Sequence, residues 1–583
     1  MTNVNSSVLD DATFPNGGGT RPSKEASTVD GLMMDTSLTT QLLFRRMQTV
    51  CGQRRVVTIT DDGRRMSQTF EQVSRRAASF AQALGSLGVC RGDRVGSLLW
   101  NTQEHVETYY ATMGLGAVLH TINPRLHDEQ VIYTINHAGD RVIVVDSSLV
   151  DQLDRVLDKL PSVEHVVIVG DGDGDGDGDG DGSTSAKVHR YSEMVTLGEG
   201  VHFEWPALEE SWGACLCYTS GTTGNPKGVL YTHRAIVLHA LTMAGVGGLQ
   251  VQEGDRVLAL VPMFHSLGWG LPFVVTVTGS DLVLPGRNLG PEAVARVIRD
   301  ERITWAGGVP TLWMDLLRHV EDPSNKDPVD LSSLRMILCG GAKVAVPLMR
   351  AYDEKLSVTL IQGWGMTETL PGAAMSLDTP SPSGKRWPRR GQVGRVSPLY
   401  EMRIVDVDGS VLPADGTSVG EVEISGPIVA GSYYGPEDTA DKFHEGWLRT
   451  GDLGTLSSDG WLDITDRAKD AIKSGGEWIS SQDLESALMA HPAVHEAAVI
   501  GVPDPRWSER PAAYVVVSQH GPTDEELREH LRSHVAKWWI PDEYHRVDTL
   551  PRTSTGKFDK KELRRHREDM AGRLQKISPA KNT

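Results

Sequence analysis

The chain has 583 residues, more than the roughly 250–300 over which one hydrophobic core keeps growing, so at least two domains are expected. Apolar residues make up 39% and charged residues 23%, the proportions of an ordinary globular protein, and no apolar run approaches the ~18–20 residues that span a bilayer. With 77 acidic against 58 basic side chains the net charge is −19, which argues against nucleic acid as a partner, and five scattered cysteines exclude a disulfide framework and fit a reducing cytoplasm.

Residues 1–30 lack the basic start and apolar centre of a secretory signal and read as a disordered leader. Over 31–468 short apolar runs alternate with amphipathic stretches. The runs RVIVVD, ACLCYTS, RVLALVP, ITWAGGVP, LRMILCGG and VTLIQGWG read as strands. EAVARVIRDERI and VPLMRAYDEKL, with apolar residues three and four apart, read as intervening helices. Apolar strands separated by helices predict an α/β fold whose large N-terminal domain holds parallel-rich sheets with flanking helices. Within it, after the strand HVVIVG, the run GDGDGDGDGDGDG occupies 170–182 and carries six aspartates. It has neither the closing Glu of an EF-hand nor the apolar residue of a calcium β-helix repeat. A self-repelling surface insertion is the expectation.

The strand ACLCYTS buries Cys215 and Cys217 and leads into YTSGTTGNPKG, from Tyr218 to Gly228. A Walker loop requires Gly-Lys-Ser/Thr, whereas Lys227 here follows Pro226. The physical ingredients of an anion cradle are nevertheless present. Gly221, Gly224 and Gly228 permit close backbone approach, and the hydroxyls of Thr219, Ser220, Thr222 and Thr223 add donors.

Further loops follow other strands, where ligands bind in open α/β sheets. PMFHSLGWGLPF carries His265 and Trp269, four residues apart and expected on neighbouring positions of a turn or helix. CGGA offers Gly340, Gly341 and Ala342 at close range. QGWGMTET supplies Gln362, Gly363, Trp364, Gly365, Met366, Thr367 and Glu368: a flat face for a base, a hydroxyl for phosphate and a carboxylate for magnesium. WLRTGDLG, ahead of a polar hairpin, brings Asp452, able to accept ribose hydroxyls. From DRAKDAIKSGGEWIS onward the texture becomes that of a small α+β domain, placed at 469–583, with capping boxes at Ser480/Asp483 and Thr523/Glu526. PRTSTGKFDKKEL closes it with Lys557, a point charge suited to phosphate.

These segments in this order resemble the adenylate-forming superfamily of acyl-CoA synthetases, peptide-synthetase adenylation domains and firefly luciferase. PMFHSLGWGLPF and SGGEWISS are most similar to the medium- and long-chain fatty acyl-CoA synthetases. The resemblance implies an AMP-forming acid–CoA ligase using ATP, Mg2+ and CoA. A small-molecule carboxylic acid attacks the α-phosphorus to give acyl-AMP and pyrophosphate, and a thiolate then takes the acyl group. By resemblance Thr219, Ser220, Thr222, Thr223 and Lys227 hold the departing pyrophosphate, with Thr223 and Glu368 at the metal. Lys557 serves the α-phosphate in the first step. The small domain is mobile and rotates about Lys469, Arg467 touches the ribose, and Gly475, Gly476 and Glu477 then line the pantetheine tunnel. His265 and Trp269 gate the acyl pocket. A homodimer is expected because relatives often dimerise.

Three features depart from the family pattern: the Asp-Gly insertion, the long leader, and Ser266-Leu267-Gly268 in place of a more usual polar trio after the histidine. The rival readings are a stand-alone enzyme loading a carrier protein, a ligase for an aryl or other non-fatty acid, and a non-catalytic relative; retention of Lys557 and Glu368 opposes the last. Deleting 171–182 is expected to leave turnover and melting temperature unchanged, because shortening a flexible loop alters closure entropy only slightly. A calcium-dependent melting shift that disappears in the deletion would contradict the linker reading.

Overall fold

The structure, a computed structural model, describes residues 31–170, 186–198, 203–219, 225–245, 247–325, 329–377, 386–435, 441–474, 477–518, 521–553 and 558–567. The leader, most of the Asp-Gly run and Lys557 therefore lie outside the described residues. The chain up to Ser37 is one unit and the chain from Leu38 another, and the described strands and helices all belong to the second.

The apolar runs become strands because residues such as Val, Ile and Leu pack from both sides of a covered sheet. Among the described residues, one sheet has seven strands, in the order Lys187–Arg190, His165–Val169, Asp140–Asp146, Arg94–Leu98, Val118–Thr121, Gly213–Tyr218 and Gly228–Thr232. All its pairings are parallel except the last, an antiparallel hairpin whose tip is the glycine-rich loop.

The second sheet is mixed. Its parallel half runs Arg55–Ile59, Asp281–Leu284, Arg256–Ala259, Trp305–Gly308, Met336–Gly340 and Thr359–Trp364. Beyond Thr359–Trp364 it continues antiparallel through Ala374–Met375, Gly394–Val396, Trp461–Arg467, Trp447–Leu456, Gly420–Ser425 and Glu401–Val405. The reason is local: connections as short as 457–460 cannot carry the crossover that parallel strands need.

Helices Gln103–Gly114, His233–Ala244 and Leu271–Thr278 contribute to one core with residues of both sheets, among them Leu119, Cys215 and Tyr231 of the first and Val257, Trp305 and Leu338 of the second. A helix with neighbours on all sides must be apolar all round. LPFVVTVT satisfies this, with proline in its first turn. The third sheet, Glu477–Ile479, Ile472–Ser474, Ser508–Val517, Val494–Asp504 and Glu543–Arg546, carries helices Ser481–Met489 and Asp524–Arg532. Thr523 and Glu526 form the full capping box. At Ser480 only half forms, the hydroxyl accepting from the Asp483 N–H at 3.0 Å. All five cysteines are unbridged. Among the described residues no helix is long and apolar enough to cross a membrane.

Buried polar side chains stitch the two large sheets together. Asn101, just beyond strand Arg94–Leu98, donates from Nδ2 to the carbonyls of Ala259 and Val261, both at 2.8 Å. Its Oδ1 accepts from the Met263 N–H at 2.7 Å. Tyr109 donates to the Met263 carbonyl. Asn101→Ala would leave three buried backbone groups unpartnered, at about 1–3 kcal/mol each where water cannot reach them. The expected result is a loss of about 3 kcal/mol or more in denaturant unfolding; a loss below about 0.5 kcal/mol would contradict the assigned role.

Candidate active site

The glycine-rich loop is closed at its neck by its own flanks. The Thr219 N–H donates to the Lys227 carbonyl at 2.9 Å, and the Lys227 N–H donates to Thr219 Oγ1 at 3.1 Å. Ser220, Gly221, Thr222, Thr223 and Gly224 lie outside the described residues. Gly228 then accepts from the Tyr434 N–H at 2.8 Å, which brings Tyr433 beside the neck. The Lys227 ammonium stands 4.7 Å from the Tyr433 ring centre. The Tyr433 hydroxyl donates to Glu368 Oε1 at 2.5 Å. Burial, reinforced by Glu368, pushes the Tyr433 phenol well above its ordinary range, so it stays a donor.

The segment QGWGMTET divides its work. Gln362 is buried and braces the backbone: its Oε1 accepts from the Val344 N–H, and its Nε2 donates to the carbonyls of Arg390 and Gln392. Trp364 Nε1 donates to Asp452 Oδ2 at 2.8 Å, and Arg467 Nε meets Asp452 Oδ1 at 2.6 Å. Both Asp452 oxygens are thus engaged. The Thr367 carbonyl accepts from the Tyr231 hydroxyl at 2.5 Å, and its Oγ1 lies 3.2 Å from Ser266 Oγ.

His265 and Trp269 do share a turn, but not a right-handed one. Ser266, Leu267, Gly268, Trp269 and Gly270 all have positive φ, from 38° to 72°. A left-handed non-glycine residue costs about 1–2 kcal/mol. Burying Leu267 and Trp269, at 0% and 8% exposed, returns about 1.5–3 kcal/mol each. The turn lays the indole of Trp269 against Gly340, where an added Cβ would come within 2.9 Å of Cη2. Gly341 has φ +88°, a conformation that favours glycine.

These groups converge on a cavity of about 1080 Å³. Thr219, Lys227, His265, Trp269, Gly340, Gly341, Ala342, Gly363, Trp364, Gly365, Met366, Thr367, Glu368, Arg467 and Lys469 line it. Gln362 and Asp452 stand behind the wall. Glu477 belongs to a strand of the third sheet; Gly475, Gly476 and Lys557 lie outside the described residues. Burial lowers the Lys469 ammonium below its ordinary value, with Asp470 opposing.

Sequence reasoning missed several wall residues. Tyr433 sits in SYYG, which carries no motif; only the pairing of Tyr434 with Gly228 reveals it. Lys343 reaches Asp483 at 2.9 Å and Asp463 at 3.4 Å. Burial works against its charge, but the two carboxylates prevail and raise its pKa. Lys560 pairs with Glu485 at 2.7 Å and donates to Ser481 Oγ at 2.6 Å. In all, nine Lys and Arg against six Asp and Glu line the cavity among the described residues. Five of those cations, Lys343, Arg449, Arg467, Lys560 and Arg564, are ion-paired, and Lys227, Lys442, Lys469 and Lys561 complete the basic part of the wall.

Residues 44–434 match the AMP-binding enzyme family, and residues 483–557 match the AMP-binding enzyme C-terminal domain. The chain is 39% identical to the long-chain-fatty-acid–CoA ligase of Thermus thermophilus, over 91% of this chain and 96% of that one. It is 38% identical to the 3-methylmercaptopropionyl-CoA ligase of Ruegeria lacuscaerulensis, over 92% and 98%. Among solved structures, the anthranilate CoA ligase AuaEII in complex with anthranoyl-AMP superposes with a TM-score of 0.82 at 28% identity, over 92% of this chain and 98% of that one.

The contact between Trp269 and Gly340 yields a coupling test. Gly340→Ala alone should destabilise and lower turnover because the indole must move; in a Trp269→Ala background the same change should cost little. Coupling of about 1–3 kcal/mol in the double-mutant cycle is expected for groups in contact. Additive effects on unfolding and turnover would show that the indole does not fill this space.

Proposed function

The chain belongs to the AMP-binding enzyme family and is an AMP-forming acid–CoA ligase, and from that premise we propose that its acid is a medium- or long-chain fatty acid and its acceptor free coenzyme A. The observation that carries the reading is the chemical division of one cavity wall. Thr219, Lys227, Glu368, Arg467 and Lys469 suit a polyphosphate and ribose, whereas Leu249, Trp269, Val309, Met314, Leu338 and Leu348 suit an uncharged hydrocarbon chain.

A carboxylate becomes an acyl donor only when its oxygen leaves well. Attack on the α-phosphorus of ATP achieves this, and cations and N–H donors aimed at the crowded phosphate oxygens supply most of the rate. Lys227, Thr219 and the residues 220–224 would hold the departing pyrophosphate, and Thr367 the α-phosphate. Lys557 would meet the incoming carboxylate. His265 and Trp269 would border the acyl chain. Asp452 would reach the ribose only by sharing its oxygens with Trp364 and Arg467.

Magnesium fits in one way. No group of three or more His, Cys, Asp or Glu able to hold a metal occurs among the described residues, while Glu368 lies on the cavity wall. One carboxylate plus substrate phosphates is a usual magnesium environment; when bound there, the ion would neutralise charge on the phosphate oxygens. Thr223 would join Glu368.

For the second step, the unit from Lys469 onward would rotate on the 31–468 domain and present Gly475, Gly476 and Glu477 to the pantetheine arm. The contacts of Lys343 with Asp483 and of Ser481 with Asp466, the latter at 2.6 Å, would break in that motion. A reducing compartment, the cytoplasm, is supported by five unbridged cysteines; a homodimer rests on the family resemblance alone.

One observation favours a second acid. Met314, Met366 and Met375 line the cavity, and polarizable sulfur adapts to irregular ligands, which suits a short thioether acid like that named for the Ruegeria relative. Thioester formation across straight-chain, aryl and sulfur-containing acids, with free CoA, separates the readings. The highest kcat/KM is expected on a medium or long straight chain. A maximum on an aryl or short thioether acid would replace that assignment, and turnover only with a carrier protein would overturn the acceptor.

A further inference from the structure

We propose that Tyr433 is a positioning residue for the adenylation step, its hydroxyl fixing the Glu368 carboxylate and its ring face fixing the Lys227 ammonium so that metal and pyrophosphate are met at a set spacing. The inference rests on the reading of Glu368 as a metal residue and Lys227 as a pyrophosphate residue.

Three observations carry it. The 2.5 Å bond to Glu368 Oε1 and the 4.7 Å approach of Lys227 join groups from different sheets. Glu368 follows strand Thr359–Trp364 of the mixed sheet, and Lys227 precedes strand Gly228–Thr232 of the parallel one. Second, the ring cannot easily swing away. Tyr433 is 8% exposed, and Phe443 packs edge-on against it with centroids 5.2 Å apart. The neighbouring Tyr434 N–H is held by Gly228. Third, a buried tyrosine hydroxyl needs a hydrogen-bond partner, and the identity of that partner is what carries weight. Here that hydroxyl meets a carboxylate 5% exposed, whose charge would otherwise be free to turn.

The chemistry follows from geometry. A carboxylate held by one oxygen keeps the other oriented toward a cation, and an ammonium held over an aromatic face keeps its N–H groups for phosphate. Removing the phenol oxygen should loosen the first without the second.

The test compares Tyr433→Phe, which keeps the ring, with Tyr433→Leu, which removes both contacts. Mn2+ binding in the presence of a non-hydrolysable ATP analogue is followed by electron paramagnetic resonance. Acid-dependent pyrophosphate release is measured against Mg2+ and against ATP, with Glu368→Gln as control and melting temperature recorded throughout. Tyr433→Phe is expected to melt like the parent and to weaken Mn2+ binding about tenfold, the scale of one hydrogen bond to a charged group. The half-saturating Mg2+ concentration should rise in parallel, with KM for the acid and CoA unchanged. Tyr433→Leu should add a several-fold rise in KM for ATP. Parent-like Mn2+ and Mg2+ responses in Tyr433→Phe, with the Mn2+ site lost in Glu368→Gln, would overturn the role of Tyr433 alone. Parent-like Mn2+ binding in Glu368→Gln would overturn the metal reading beneath it.

Discussion

Two separate sheets must deliver their strand ends to one cavity, and the buried polar seam between them is the constraint on which the rest depends. Asn101 satisfies three backbone groups of the 259–263 segment, Tyr231 donates to the Thr367 carbonyl, and Tyr433 ties Glu368 to the neck of the glycine-rich loop. Apolar packing alone would let the sheets slide by a fraction of an ångström. Directional bonds to buried backbone do not, because each one lost exposes an unmet donor or acceptor. Thr219 and Lys227 come from one sheet and Trp364, Thr367 and Glu368 from the other, so their spacing is that of the seam.

The same seam accounts for the strained turn at Ser266–Gly270. A right-handed turn there would carry the chain away from Gly340; the left-handed one keeps Trp269 on the cavity wall and Ser266 within 3.2 Å of Thr367. Strain stored in backbone torsions persists only where surrounding packing over-determines it. Leu267, wholly buried, is that packing. Electrostatics follow a similar logic. Two of the cations on the wall, Lys343 and Lys560, are paired with carboxylates, which offsets the cost of holding their charge in a buried place.

Much of this was legible in the sequence. The apolar runs are strands, and the loops that follow them meet, because period and turn chemistry are local properties. Thr219, Lys227, Thr367 and Glu368 stand out in their segments by residue type, but only the order of the segments and the resemblance it carries join them, and all four line the cavity. Tyr433 does not stand out: SYYG has no distinctive spacing, and its place depends on a pairing with Gly228 across two hundred residues of chain. Asn101 is equally silent, since its three partners lie far along the chain. The antiparallel half of the mixed sheet escaped the alternation rule because its hairpins lack intervening helices. The left-handed turn was hidden because only Gly268 and Gly270 hint at positive φ, while Ser266, Leu267 and Trp269 adopt it under tertiary force.

If this cavity makes an acyl adenylate before any thiol is involved, that step can be measured by itself as exchange of labelled pyrophosphate into ATP. The expected exchange depends on the carboxylic acid and proceeds without coenzyme A. It falls at least a hundredfold, on the order of removing one transition-state contact, when Lys227 or Glu368 is neutralised. Exchange that needs coenzyme A, or that ignores the acid, would contradict adenylate formation at this site.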